Sequence, residues 1–419
     1  MKIRSFISAC LLLFVPLIVN AQDQWKIYTD EINIGSLRTG NITQNFTCDK
    51  QGNMWISTSK GGILQFNNEQ WKLFEVEKIS FLFGQSALAG ATHLKTGLTS
   101  DWQIATDFNG KWMWFGSSRG AILWDGEQML EMTGALDNDN RMIFYSDEKK
   151  EYLIAKDNET IHIEGTEKIK TETRVIQINC VSIDSKGRVW FGTAPGSIYC
   201  IDNGVWKVYD QLEKMDLEEE VKAFKREISK IFEDKSGKLW ILGNSFIAQI
   251  EGDNIKVVKP GNYPKSIFQD SKGNIWIGQM ESIEKYDGST WKTYERDEDK
   301  GAVAYMHESK FLEDKDGNLW YSSKVILATR KGGGLYKLEN DEWNKVKTEK
   351  YYTDLIEDND GNLWYTGLRR VYKMVYGKWQ EVHTAEGFAV FFYELFVDMN
   401  NNIWAGMSTV GGMIQRYIP

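Results

Sequence analysis

Proline, cysteine and histidine are scarce in this chain of 419 residues: five, four and four respectively. The four histidines, His93, His162, His307 and His383, stand in four different settings, and no pair has metal-ligand spacing. No nucleophile motif appears either, so the expectation is no enzyme, no cofactor and no metal. Positive charge is also short, with 50 Lys and Arg against 59 Asp and Glu. No basic stripe forms, which argues against nucleic acid or an anionic membrane as partner. Long apolar runs are absent after the first 21 residues, so no membrane span is expected.

The first 21 residues form a segment of their own. Lys2 and Arg4 open it, Phe6 to Val19 is apolar, and Val19-Asn20-Ala21 fits a small-residue cleavage site. This is the pattern of a secretory signal peptide over 1–21, and it implies a mature chain, 22–419, in the periplasm, on the surface or outside the cell. Cys10 lies before most of the apolar run, where a lipoprotein cysteine would follow it. Cys48, Cys180 and Cys200 remain. The repeat described next puts Cys180 and Cys200 on the first and third strands of one unit, ~9.6 Å apart, beyond the ~7 Å a disulfide spans. Free, mostly buried thiols are expected.

What the chain has in abundance is a repeat. Asp-x-x-Gly-x-(Leu/Ile/Met/Val)-Trp recurs at Asp49–Trp55, Asp184–Trp190, Asp234–Trp240, Asp270–Trp276, Asp314–Trp320 and Asp358–Trp364. A Gly-less copy runs Asp398–Trp404, and a longer one Asp107–Trp114. A fixed period of this size means stacked supersecondary units. Within 266–294, Ser266–Gln269, Ile275–Ile277, Ser282–Tyr286 and Trp291–Tyr294 read as four short strands, with an Asp-Gly turn after the first. Four antiparallel strands in ~40 residues is one propeller blade. Residues 138–170 lack the tryptophan but offer strands at Arg141–Tyr145, Tyr152–Ala155, Thr160–Ile163 and Lys168–Thr171, a worn unit. The expected fold is an all-β, single-ring β-propeller of nine units, or eight if the worn unit is only an insertion. The last unit stops at its third strand, Gly411–Tyr417, whereas Trp25-Lys-Ile-Tyr28 is an orphan fourth strand. Pairing the two would close the ring and leave no sheet edge at the seam. Two insertions break the period: 75–100, and 210–226, where Leu212, Met215, Val221 and Phe224 come at roughly helical spacing. The second reads as a packing helix or a partner-docking one.

Asp270-Ser-Lys-Gly-Asn-Ile-Trp-Ile-Gly278 and Asp184 to Thr193 resemble the two-component regulator propeller repeat. That resemblance implies an exported propeller like the periplasmic sensor region of hybrid histidine kinases, many of which are thought to detect oligosaccharides. No kinase, helix-turn-helix or Ig-like module follows here, so recognition is the part of that role expected to carry over.

Alignment on the Asp gives two columns. Three before it stand Phe46, Ile104, Val181, Ile231, Ile267, Phe311, Leu355 and Leu395, all apolar and expected to pack between blades. Four before it stand Asn45, Gln103, Cys180, Lys230, Ser266, Lys310, Asp354 and Glu394, nearly all polar. Alternation points this second column the other way, into a central channel. The channel is then either structural and water-filled, or a site for a polar ligand with Asn45, Gln103, Lys230, Lys310, Asp354 and Glu394 lining it. Tyr263, His307, Tyr352 and Phe392 would flank its mouth and could stack on sugar faces. Of 17 tryptophans, eight fall on second strands and six on fourth strands. Trp102, Trp112 and Trp124 are left over, as a packing cluster or a stacking platform. Asp314-Lys-Asp-Gly-Asn318 and Asp358-Asn-Asp-Gly-Asn362 resemble the start of a calcium loop but read more simply as hairpin turns. The partner classes are an oligosaccharide or other polar small molecule, alternatively an envelope protein held on a scaffold. A carbohydrate-active enzyme working through Lys230, Asp354 or Glu394 is a further alternative.

Overall fold

The computed structural model describes residues 25–28, 42–49, 51–58, 62–67 and 69–75, the strands between 104 and 175, and residues 178–193, 196–202, 205–209, 212, 227–295, 309–323, 334–347, 354–367, 369–385, 391–408 and 413–419. The signal-peptide region, Lys168–Thr171 and the 210–226 insertion, Leu212 apart, lie outside them. Every element among the described residues is a β-strand, and no helix there is long and apolar enough to cross a membrane. The strands make nine antiparallel sheets, eight of four strands and one of five. Numbered in chain order, sheets 1, 2 and 4 to 8 span 42–75, 104–133, 178–209, 228–260, 266–295, 309–347 and 355–384. Sheet 3 spans 135–175 and has the five strands. Sheet 9 joins 391–417 to Trp25–Tyr28.

The recurring motif is a pin between a turn and a tryptophan. In sheet 6, Gly273 takes φ 87°, a backbone that glycine adopts freely. This lets Asp270 turn back on its own chain. One carboxylate oxygen accepts the Asn274 N–H at 2.8 Å, and the other accepts the Trp276 indole N–H at 2.8 Å. The same Asp–Trp bond recurs at 2.8–2.9 Å for Asp49, Asp184, Asp234, Asp314, Asp358 and Asp398. A buried carboxylate is costly unless hydrogen-bonded, and here it is. Burial works against ionisation of Asp234, but Ser236, the Trp240 indole and the Lys238 and Ser236 N–H groups hold its pKa below the usual carboxylate range. In the two calcium-like segments, Asp314 and Asp358 are committed to these same turn and indole bonds.

The pinned tryptophan then packs forward. Trp276 is fully buried with Ile283 of its own sheet and Phe311, Leu319 and Tyr321 of sheet 7. Trp320 does the same against Leu355, Leu363 and Tyr365 of sheet 8, and Trp240 against Ile267, Ile275 and Ile277 of sheet 6. Each such ring removes roughly 200 Å² from water, worth about 5 kcal/mol of transfer free energy.

A second, polar link joins neighbouring sheets beside several of the pins. The residue just before the Asp accepts a backbone N–H from the turn of the preceding unit. Glu233 accepts the Ser185 N–H, Gln269 that of Lys235, Glu313 that of Ser271, and Glu357 that of Lys315. In the Gly-less unit this position is Val397, which has no acceptor. Asn401, which takes the glycine's place at φ 64°, supplies one instead: its side-chain oxygen accepts the Asn359 N–H at 2.8 Å. Asparagine is one of the few residues that tolerates this φ, so one substitution fills both roles.

The N-terminal strand completes sheet 9. Trp25–Tyr28 pairs with 414–417 in antiparallel register, from Trp25 opposite Tyr417 to Tyr28 opposite Ile414. Sheet 9 packs on sheet 1 as its neighbours pack on one another, with Trp404, Tyr28 and Ile414 against Met54, Ile56, Leu64 and Phe66. The Met399 N–H reaches the Cys48 sulphur, the position that glutamate fills elsewhere. Arg416 holds Glu69 through two bonds at 2.6 and 2.9 Å, a bidentate pair. Lys26 reaches Glu69 at 3.2 Å. This repeats the ion pairs Lys207–Asp253 and Lys292–Asp341 between other neighbouring sheets.

Sheet 3 departs from simple succession. The expected strands at 141–145, 152–155 and 160–163 are present as Met142–Ser146, Glu151–Lys156 and Glu159–Glu164, with Ala135–Leu136 and Arg174–Val175 added. The first strand of sheet 4 nevertheless lies directly against the first two strands of sheet 2. Sheet 3 lies against the fourth strands of both. It is set outside its neighbours rather than between their first strands.

Candidate functional site

The two sequence columns separate as alternation predicts, though not uniformly. The apolar column is buried at every described position: Val181, Ile231, Ile267, Phe311, Leu355 and Leu395. In the polar column Lys310 is exposed, Lys230 and Glu394 are half-buried, and Cys180, Ser266 and Asp354 are buried. Two causes account for the mixture. First, β-bulges fall just before Cys180, Lys230 and Glu394, and a bulge re-aims the residue that follows it. Second, Cys180 and Ser266 lie opposite the glycines of the second strands, Gly192 and Gly278. A Cβ at Gly192 would stand 2.5 Å from both Cys180 Sγ and Ile228 Cγ2; at Gly278 it would stand 2.5 Å from Ser266 Oγ. The glycine after each of these tryptophans therefore makes room for a first-strand side chain and for the next sheet. The three thiols are free, and burial pushes the Cys180 thiol up to about 12.

The charged members of the column do come together. Lys310 Nζ lies 3.4 Å from Asp354 Oδ1, linking sheets 7 and 8. Asp354 is itself fixed by the Leu355 N–H at 2.8 Å on one oxygen and by the Leu395 N–H of sheet 9 at 2.8 Å on the other. Lys230 of sheet 5 feels the charge of Lys310 although sheet 6 intervenes in the chain. Burial, and then that like charge, hold the Lys230 ammonium below the usual lysine range. Beneath them Ser266 and Ser309 hydroxyls pair at 2.7 Å.

A neighbouring relay was not legible in the sequence. Glu227 accepts Asn179 Nδ2 at 2.8 Å and Asn244 Nδ2 at 2.9 Å, and Lys265 Nζ lies 3.4 Å from Asn244 Oδ1. It ties sheets 4, 5 and 6 together where their first strands begin. The only signal was a polar residue five before the Asp, at Asn179, Ser229, Lys265 and Ser309.

The aromatic candidates fare differently. Tyr263 is half-buried at φ 51°, its N–H bonded to the Asn244 carbonyl beside this relay. Phe392 is fully buried, with Leu395 and Ile403 in one core cluster and edge-on to His383. It packs between sheets 8 and 9 and offers no open face, which removes it from the mouth. Gln103, His307, Tyr352, Trp102 and Trp112 lie outside the described residues. Asn45 is on the first strand of sheet 1 and Trp124 on the third strand of sheet 2.

A family model described as two component regulator propeller matches residues 36–60 and 259–280, which contain the Asp49 and Asp270 turns. In these two stretches the chain is similar to the repeat of that family. No curated protein matches the sequence. Among solved structures, the chain is similar to virginiamycin B lyase from Staphylococcus aureus, at 13% identity over 94% of this chain and 98% of that one, TM-score 0.47. It is similar to YCF48 from Cyanidioschyzon merolae, at 12% identity over 94% and 99%, TM-score 0.46. It is also similar to the extracellular domain of a putative hybrid two component system from B. thetaiotaomicron, at 15% identity over 90% and 62%, TM-score 0.40.

Proposed function

We propose that this chain is an exported recognition propeller that binds a polar small molecule, an oligosaccharide among the candidates, where the first strands of sheets 5 to 9 begin. Sheets 1, 2 and 4 to 9 would form one ring of eight around a channel, closed by Trp25–Tyr28, with sheet 3 mounted outside it. The observation that carries the reading is the meeting of Lys230, Lys310 and Asp354. They come from three separate units: Lys310 meets Asp354 at 3.4 Å, and the charge of Lys310 acts on Lys230. The half-buried Lys230 and the buried Asp354 are expensive to keep for stability alone. Binding is favoured over catalysis because both Asp354 oxygens are already engaged by backbone N–H groups, which leaves a poor general base.

A thermal-shift screen of residues 22–419 against host and plant oligosaccharides tests this, with divalent ions as a separate arm. A ligand binding the folded state raises the melting temperature with concentration. The expected result is a rise for one ligand class, abolished by Lys310→Ala. No rise in any arm would contradict it and favour a scaffold for an envelope protein.

A further inference from the structure

The N-terminal strand is gripped on both sides by titratable groups. Toward sheet 1, Lys26 lies 3.2 Å from Glu69, which Arg416 of the neighbouring strand also holds. Toward sheet 8, Trp25 stacks on the His383 imidazole, ring centroids 4.6 Å apart and 22° from parallel. His383 is buried at 8% exposure, on the fourth strand of sheet 8 opposite Val371, with Phe392 edge-on to it. Its Nε2 lies 2.6 Å from Oε1 of Gln415, on the strand that pairs with Trp25–Tyr28. An amide oxygen only accepts, so Nε2 carries the proton of the neutral ring and donates it. A second proton would have to go on Nδ1, which is buried and has no hydrogen-bond partner among the described residues.

We propose that His383 is a proton-operated latch: the neutral ring holds Trp25–Tyr28 on sheet 9, and protonation loosens that strand. The latch acts on the fold and is independent of what the propeller binds. Release would bare the edge of Met413–Tyr417, the third strand of sheet 9. A buried N–H without an acceptor bears the full cost of its lost hydration. The Trp25 face offers an imidazolium some cation–π attraction, which does not replace that acceptor. The described charges on the strands around His383 are engaged elsewhere or set apart. Arg370 and Glu381 pair with each other at 3.4 Å, Lys373 lies over the Trp364 ring, and Arg369 donates to the Ala385 carbonyl at 2.8 Å. Lys26 and Arg416 turn to Glu69, Glu394 is half-buried on the first strand of sheet 9, and Tyr417 packs on Trp25 and Trp364. Burial holds the imidazole below its usual value near 6.5, offset in part by the Gln415 bond. The unfolded chain therefore takes the proton first. This contribution to stability is whole above about pH 7 and is lost as pH falls through 6.5 toward the folded value. Glu69 titrates lower: its bond to Arg416, opposed by burial and helped by Lys26, holds its carboxyl below the usual range. It therefore keeps its charge at about pH 5, and the grip on the sheet 1 side stays in place.

The test is hydrogen exchange of residues 22–419 at about pH 7.5 and about pH 5, corrected for the intrinsic effect of pH on exchange. Amides of 25–28 and 414–417 should open about tenfold more readily at the lower pH, and those of 239–243 in sheet 5 should not. His383→Phe keeps a ring on Trp25 but takes up no proton, so the acid effect should vanish. Gln415→Glu puts a carboxylate on Nε2, which favours the imidazolium, so acid should tighten the strand in place of loosening it. Melts of both variants at the upper pH show that they fold, and each variant carries its own prediction if the other does not. Equal acid loosening in His383→Phe, or loosening of unchanged sign in Gln415→Glu, would overturn the latch. Loosening spread evenly over sheets 5 and 9 would also overturn it, since the proton would then act on the whole fold.

Discussion

The two ends of the first strands are built on opposite principles. At the turn end, each described Asp carboxylate of the motif is buried with several donors around it, the indole of its second-strand tryptophan is one of them, and in sheet 6 a side chain from the next unit clasps the turn. At the other end, Lys230 and Lys265 are half-buried with no acid in reach among the described residues, and Lys310 shares Asp354 with two backbone groups. Hydrogen-bonding every buried polar group is how folds avoid cost, and leaving cations under-partnered is how sites keep capacity for a ligand. The repeat motif is therefore read as architecture. The units differ from one another at Lys230, Ser266, Lys310, Asp354 and Glu394, the column in which the proposed site lies.

That contrast can be broken in order of expected effect. Deleting residues 22–30 removes the fourth strand of sheet 9, with Tyr28 and Trp25 from two core clusters and the Lys26–Glu69 pair. The melting temperature should fall by ten degrees or more, on the order of several kcal/mol of lost burial; an unchanged melt would show that the strand closes nothing. Asp270→Ala strands the Trp276 indole and the turn amides, and should cost about 3 kcal/mol by urea unfolding with the m-value kept. Glu313→Ala releases only the clasp on Ser271, whose N–H and hydroxyl it accepts at 2.6 Å each. It should cost about 1 kcal/mol, since water can replace it at an exposed rim. A Glu313 loss as large as that of Asp270 would mean the joints depend on the clasps more than on the pins.

Much of the turn end was legible in the sequence and little of the other end was. The Asp-x-x-Gly-x-apolar-Trp spacing places donor and acceptor within one hairpin, so a single unit contains the whole pin. Trp25-Lys-Ile-Tyr28 was recognisable because it repeats Trp291-Lys-Thr-Tyr294 in an otherwise unfinished unit. The clasps were invisible, because Glu313 bonds a backbone group 42 residues away and its side chain reads as ordinary surface charge. The bulges before Cys180, Lys230 and Glu394 depend on cross-strand register, which alternation along one strand does not contain. Phe392 was placed at the mouth on alternation alone, but it follows the core into the joint with His383. The outside position of sheet 3 was equally hidden, since a period counts units without saying how far out each one sits.

The division of labour between the two ends is tested most directly by urea unfolding of Lys230→Met beside Asp270→Ala. Replacing a desolvated, under-partnered ammonium with an apolar stem of similar length should leave stability unchanged or raise it by about 1 kcal/mol. A loss at Lys230 comparable to the loss at Asp270 would contradict the division, and would make this lysine one more structural pin.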